Sequence, residues 1–316
     1  MILFAGIPSE TPLALAIAAA KELGVPHVVL NQRESAFIDL SMAWGDEGLQ
    51  GALWIGDTHY SLHCFTGIYA RLIEAEVLPE LATSGRRRPD AATLARTHAL
   101  TDLINQLLDI HPAAVANRPS AMGSNLSKPF QAQLVQAAGL LTPETLITND
   151  AQAVRAFHAV HARIVYKSVS GVRSIVREWT DDIGPPLERV ARLPTQFQAF
   201  VLGVNIRVHV VAQAVFATEI ISEAIDYRYG ERDGFPATMV ATELPPAIAQ
   251  ACVRLTADLG LVMSGIDLKR TPDGQWYCFE VNPSPAYSYF QELSGQPIAE
   301  ALVGTLRGRL QGECAP

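Results

Sequence analysis

Gly265-Ile266-Asp267-Leu268-Lys269-Arg270, then Thr271-Pro272-Asp273-Gly274, then Gln275-Trp276-Tyr277-Cys278-Phe279-Glu280-Val281-Asn282-Pro283-Ser284-Pro285: this stretch decides how the chain is read. Two β-rich runs around a Pro-Asp-Gly turn predict a hairpin. With pairing closed at Arg270–Gln275, Asp267 stands opposite Cys278 and one diagonal from Glu280, roughly 7–8 Å away on the same face. Asn282 follows Glu280 at the strand period of two and shares that face. Three oxygen donors without sulfur or imidazole suit a hard cation such as Mg²⁺ or Mn²⁺. A slip of one residue would turn Asp267 away, so the inference rests on the register. A polar face turned to water is the competing reading. The Ile, Leu, Trp, Tyr, Phe and Val residues around the acids favour a metal site.

At 316 residues the chain can bury a large core, enough for about two or three domains. Its composition, 49% hydrophobic and 18% charged, is that of a globular protein, and a net charge of −8 argues against a general nucleic-acid binder. Cys64, Cys252, Cys278 and Cys314 lie far apart with no CxxC pair, which fits neither a zinc site nor a disulfide framework and points to a reducing cytoplasm. The eight histidines form no ligand cluster in sequence. Met1 to Ala20 is apolar but lacks a basic start, and Gly6-Ile7-Pro8-Ser9-Glu10 interrupts it. A strand, a turn and a helix explain it better than a secretory signal. No apolar run is long enough for a membrane span.

The first 118 or so residues begin as strand–helix–strand: Ile2–Ala5, an Ala-rich helix over about Pro12–Leu23, and His27–Leu30. Further strands are expected near Gly51–Ile55 and Thr66–Ala70, and a helix from about Ala91 to Leu108. Arg86-Arg87-Arg88 reads as an exposed loop, solvated or facing an acidic partner. The second half mixes helices with strand pairs: Arg163–Val169, Val172–Glu178, Gln196–Val201, Val204–Ala212, Ala214–Ile220 and Thr238–Thr242. This is an α+β pattern. Lys167 lies in the apolar run Ile164-Val165-Tyr166-Lys167-Ser168-Val169, where a lysine must snorkel or meet a negative partner. The small residues after it, Ser170-Gly171, let backbone N–H groups approach phosphate.

An Asp on one strand and Glu-x-Asn-x-Ser-Pro on the next resembles the metal-binding core of the ATP-grasp family, whose members join a carboxylate to a nucleophile at the expense of ATP. The resemblance covers roughly residues 117–310. It implies an ATP-grasp fold behind an amino-terminal α/β domain, divided as 1–118, 119–192 and 193–316. It also implies ATP as cofactor, with two Mg²⁺ (or Mn²⁺) ions held by Asp267, Glu280 and Asn282. Lys128 and Lys167, with Ser170 and Gly171, match the phosphate-facing lysines and flexible loop; a solvated lysine at a helix start fits Lys128 as well. Gln196-Phe197-Gln198-Ala199-Phe200-Val201 matches the segment against adenine, with backbone of Phe200 and Val201 on the base edge and Gln198 at the amino group, where many relatives carry Glu. Gly203-Val204-Asn205-Ile206-Arg207 resembles a Gly-x-Asp-Ile-Arg strand, with Asn205 in place of the acid, and would aim Arg207 at the transferred phosphoryl group. Arg207 and Lys167 are then the catalytic candidates.

Within the family the chain resembles the ribosomal-protein glutamate ligases and the microviridin-type peptide ligases. The implied activity is ADP-forming ligation of a carboxylate to an amine or hydroxyl through an acyl phosphate. A peptide or protein is the favoured substrate, and a free amino acid or a non-catalytic ATP sensor are the alternatives. Arg71, Arg173, Arg228 and Arg232 are candidates to grip its acidic side chains. No nucleic-acid or membrane partner is expected, and a homo-oligomer is compatible with the sequence.

Overall fold

The computed structural model describes residues 1–78, 81, 91–169, 176–180, 187–222 and 237–308. Strand β1 (Ile2–Gly6) is buried along its length, and α1 (Thr11–Glu22) returns over it. Pro12 falls in the first turn of α1, where a missing N–H leaves no helical bond unmade. Strand β2 (His27–Asn31) then pairs parallel with β1. The βαβ start read from the sequence is therefore present.

The next segment departs from expectation. Strands β3 (Ile38–Gly45), β4 (Gly48–Ile55) and β5 (Thr58–Ser61) form their own antiparallel sheet. The strand read at Gly51–Ile55 is the centre of this meander and not part of the parallel sheet. Its turns carry Gly48 and Gly56 at φ +82° and +58°, the conformation tight hairpin turns require. The parallel sheet resumes with β6 (Gly67–Arg71) and, after α2 (Ala91–Ile110), with β7 (Ala114–Ala116), in the order β2-β1-β6-β7.

Beyond the short α3 (Pro119–Met122), α4 (Lys128–Ala137) leads to a second sheet. It contains β8 (Thr145–Thr148), β9 (Ile164–Ser168), β10 (Arg177–Trp179) and β11 (Thr195–Ala199), ordered β10-β9-β11-β8 and antiparallel. Helices α5 (Ala151–His161) and α6 (Leu187–Val190) lie between its strands in sequence. Val154, Ile164, Trp179, Val190 and Phe197 make the core on one side. The period of two sends Lys167, Gln196 and Gln198 to the other.

The third sheet has β12 (Val204–Val211), β13 (Ala214–Ile221), β14 (Thr238–Thr242), β15 (Met263–Arg270) and β16 (Trp276–Asn282), ordered β14-β13-β12-β15-β16. Helix α7 (Pro246–Asp258) covers one face through Ala251, Cys252 and Leu255 against Ile206, Val208, Ile266 and Val281. The other face carries the polar residues of the site.

Helices α8 (Ser288–Ser294) and α9 (Ile298–Leu306) close the chain's described part. Ile298, Ala299, Leu302, Val303 and Leu306 share a core with Leu13, Ala16 and Ala20 of α1, so the carboxyl end packs on the amino-terminal layer. Gly67 makes that approach possible, since a Cβ there would overlap the Leu306 backbone carbonyl.

Candidate active site

The hairpin acids reach one face by a route the sequence did not reveal. Pairing closes at Arg270–Trp276, so Leu268 and not Asp267 stands opposite Cys278. Gln275 is consumed by the turn: its carbonyl accepts from Thr271 N at 3.0 Å, and its N–H donates to Thr271 Oγ1 at 2.9 Å. Carried on unbroken, this register would oppose Asp267 to Phe279 and turn Glu280 to the far face. A β-bulge between Asp267 and Leu268 absorbs one residue of β16, and Asp267 pairs directly with Glu280. The two carboxylates are thus direct cross-strand neighbours and not diagonal ones.

Two cations flank them. Arg207 on β12 is opposite Asp267, and its Nη1 donates to Asp267 Oδ1 at 2.8 Å. At the start of α4, Lys128 Nζ donates to Glu280 Oε1 at 3.0 Å. The row reads Arg207, Asp267, Glu280, Lys128. Two carboxylates side by side repel, and each outer cation offsets that repulsion. Asp267 and Glu280 keep side-chain exposures of 30% and 25%. Breaking either pair therefore costs less than the ~3–5 kcal/mol typical of a fully buried one.

His209, two residues along β12 from Arg207, shares its face and is fully buried. Burial, then the Arg207 charge, holds its imidazole well below the usual range. The neutral ring accepts at Nε2 from Arg207 Nε at 3.5 Å and packs on Phe290, with ring centroids 5.0 Å apart. Gly265 lies between His209 and Asn282 in the next row. A Cβ there would overlap Arg207 Nη2 and come within 2.7 Å of Pro285 Cβ. Gly265→Ala should lower stability by roughly 1–3 kcal/mol, the usual cost of overpacking, and displace Arg207. A thermal midpoint and a turnover rate both equal to those of the parent protein would refute this role for Gly265.

Among the described residues no group of three His, Cys, Asp or Glu side chains is placed to hold a metal ion. The donors available are the Asp267 and Glu280 carboxylates and the Asn282 amide oxygen, which accepts from Ser284 N at 2.9 Å. This all-oxygen set fits a hard cation, and the ion pairs show that these carboxylates attract positive charge.

Comparison with solved structures bears on the fold that carries this arrangement. The fold is similar to that of the ATP-grasp ligase PsnB complexed with a minimal precursor, at 25% identity and a TM-score of 0.74, covering 96% of this chain and 98% of that one. It is similar to the Chryseobacterium gregarium RiPP-associated ATP-grasp ligase in complex with ADP and a leader and core peptide, at 20% identity and a TM-score of 0.78, covering 96% of each. It is likewise similar to the macrocyclase MdnC from Microcystis aeruginosa MRC, bound with precursor peptide MdnA, at 20% identity and a TM-score of 0.76, covering 97% of this chain and 99% of that one. The chain has the ATP-grasp fold. No family model matches it, and no curated protein does.

In this ATP-grasp fold a cleft of about 440 Å³ opens between the second and third sheets, lined by Lys128, Gln131, Gln196, Gln198 and Phe279 among others. Lys167 is buried on β9, paired in register with Gln196. The Gln196 Oε1 atom is buried without a hydrogen-bond partner among the described residues, and an unmet acceptor in a cleft wall points to a bound group. Gln198 Nε2 donates to Thr145 Oγ1 at 3.0 Å.

Phe200 and Val201 line a separate groove of about 520 Å³ with Leu141, Pro272 and Tyr277. The Phe200 ring lies 3.8 Å from Arg163 Cζ, and Phe200 N donates to Arg163 O at 3.0 Å. Lys269 Nζ donates to Val201 O at 3.1 Å. Among the described residues this leaves the Phe200 carbonyl and the Val201 N–H as an adjacent acceptor and donor.

Of the remaining expected positions, Arg71 pairs with Glu10 and reaches Ser284 and Pro285. Ser170, Gly171, Arg173, Arg228 and Arg232 lie outside the described residues. Sequence reading missed His209, Lys269 and Phe279. His209 alternates with Arg207 on one strand, a signal that was there to be used. Lys269, whose ammonium is pushed below its usual range by burial and then by the Arg163 charge, gains its role from a fold contact. So does Phe279, through the bulge.

Proposed function

We propose that this chain is an ATP-dependent ligase that joins a carboxylate to an amine or hydroxyl on a peptide or protein, releasing ADP and phosphate. The observation that carries the reading is the row Arg207, Asp267, Glu280 and Lys128, with Asn282 one step further along β16. Solved structures of this fold include complexes with precursor peptides, Mg and ADP, which supports a peptide substrate and ATP with Mg²⁺ for this chain. The homo-oligomeric state and the cytoplasmic setting remain proposals of the sequence. No described helix is long and apolar enough to cross a membrane.

A carboxylate oxygen attacks the γ-phosphorus of ATP, the bond to the β–γ bridging oxygen breaks, and ADP leaves. The amine or hydroxyl then attacks the acyl carbon, phosphate departs with the bonding pair, and the nucleophile loses its proton. Negative charge meets negative charge in the first step, so electrostatic stabilisation is the main demand. Arg207 supplies a planar cation beside Asp267. Lys128 and Lys167 add charge from the start of α4 and from β9. Asp267, Glu280 and Asn282 would hold the Mg²⁺ ions, which when bound neutralise phosphate charge. The Phe200 carbonyl, the Val201 N–H and Gln198 would read adenine. Ser170 and Gly171 would cover the phosphates, and Arg173, Arg228 and Arg232 would grip acidic side chains. We assign residues 119–192 and 193–316 to the two halves of the grasp and 1–118 to the amino-terminal domain.

The test is chemical. With ATP, an acidic peptide and no acceptor, hydroxylamine should trap a hydroxamate while ADP and phosphate accumulate. Release of AMP and pyrophosphate would mean adenylation and end this reading.

A further inference from the structure

The segment after the hairpin, Asn282-Pro283-Ser284-Pro285, has only one backbone N–H beyond Asn282, because the two prolines carry none. That N–H belongs to Ser284 and donates to Asn282 Oδ1 at 2.9 Å. An N–H can only meet the oxygen of an amide, so this bond decides which way the Asn282 side chain faces. It leaves one lone pair of Oδ1 free to bind a cation, with the NH₂ turned away. The orientation of Asn282 thus depends on where Ser284 is held.

Ser284 is held from the other end of the molecule. Arg71 Nη1 donates to Ser284 Oγ at 2.9 Å and to the Pro285 carbonyl at 3.2 Å. The guanidinium is itself clamped: Nε donates to Glu10 Oε1 and Oε2 at 2.8 and 2.7 Å, and Nη2 lies 2.6 Å from Glu10 Oε1. Glu10 precedes the first turn of α1, where the helix dipole favours a negative charge. Arg71 ends β6 opposite Gly6 of β1, and a Cβ on Gly6 would come within 2.7 Å of the Arg71 carbonyl. Asn117 anchors the other side of the segment, donating to Pro283 O at 2.5 Å and Met263 O at 2.6 Å. Each residue of Pro283-Ser284-Pro285 therefore has an anchor in residues 1–118.

We infer that Arg71 is a positioning residue: through Ser284 it holds the Asn282 amide oxygen in the orientation a metal ion requires, and it is not a receptor for the substrate's carboxylates. The inference rests on the metal reading of Asp267, Glu280 and Asn282. Its physical basis is that Nε, Nη1 and Nη2 of Arg71 are all engaged, with only 12% of the side chain exposed. The relay Glu10–Arg71–Ser284–Asn282 makes the amino-terminal strand–helix unit a structural part of the metal site.

The test is Mn²⁺ binding in the presence of ADP, followed by electron paramagnetic resonance, without turnover. Arg71→Ala should weaken Mn²⁺ binding about tenfold, the usual scale for removing a group that orients a metal ligand. Asn282→Ala should weaken it at least as much. The double variant should bind no more weakly than Asn282→Ala alone, because Arg71 acts through Asn282. Arg71→Lys should restore only part of the loss, since an ammonium cannot span Glu10 and Ser284 with a planar fork. Ser284→Ala leaves the Ser284 N–H and the Pro285 carbonyl contact in place but removes the side-chain bond from Arg71 to Ser284, so it should weaken binding severalfold even if Arg71→Ala proves unstable. Unchanged Mn²⁺ affinity in Arg71→Ala or Ser284→Ala, or additive losses in the double variant, would overturn the inference. If the parent protein bound no Mn²⁺ with ADP, the metal reading itself would fall, and this inference with it.

Discussion

Glu280→Gln should lower turnover by at least about 10²–10³-fold, the scale of removing one preorganised electrostatic group, and leave the fold in place. Gln has the same shape as Glu, and the site is partly open, so the structural cost is small. The change removes one of the two negative charges on the row and leaves Lys128, 3.0 Å from Oε1, facing a neutral amide. A hard cation would lose its most basic oxygen on β16. ADP release measured beside circular dichroism checks both halves of this expectation. Near-normal ADP release from a folded Glu280→Gln protein would show that the metal assignment is wrong.

Arg207→Lys tests the other flank. The arginine reaches Asp267 through Nη1 and His209 through Nε at once, a geometry that depends on the planar fork. A lysine could keep one contact but not both. We expect kcat to fall about 10²–10³-fold, as for other transition-state donors, with a much smaller change in the KM for ATP. That split marks a group used in the transition state more than in binding. Equal losses in ATP affinity and kcat would make Arg207 a nucleotide anchor, and retention of kcat would remove it from the chemistry. Because Asp267 is 30% exposed, losing its partner should cost stability only about 1–3 kcal/mol.

The hairpin shows what could be read from sequence and what could not. The Pro-Asp-Gly turn and alternating apolar residues were enough to place Asp267, Glu280 and Asn282 on one face. The pairing assumed for them was wrong by one residue at the turn, where Thr271 engages Gln275. The bulge at Asp267/Leu268 shifts the ladder one residue further in the same direction. The two offsets add to two residues, one full strand period, so the face was right and the distance wrong. Turn chemistry and bulges depend on side-chain bonds and twist that a period-two pattern does not contain.

The same division holds elsewhere. The βαβ start was legible because β1, α1 and β2 are short, local and periodic. The meander β3–β5 was not, since its turns, Asp46-Glu47 and Gly56-Asp57, carry weak signals between short strands. Arg71 was expected to meet an acidic substrate, and its residue type gave no hint that Glu10 and Ser284 would claim it.

By itself the sequence determined the βαβ start, the α+β pattern of the second half, the donor chemistry of the hairpin and the candidate cations Lys128, Lys167 and Arg207. Each of these follows from residue type and short-range spacing. Only the tertiary structure decided that Arg207 lies against Asp267 and Lys128 against Glu280, that Gly265 makes room for the guanidinium, and that Arg71 and Asn117 brace the segment after Asn282. These contacts join residues 58 to 214 positions apart, as Gly265–Arg207 and Arg71–Pro285 illustrate. Their partners are chosen by the packing of whole sheets and helices, in which local periodicity has no say.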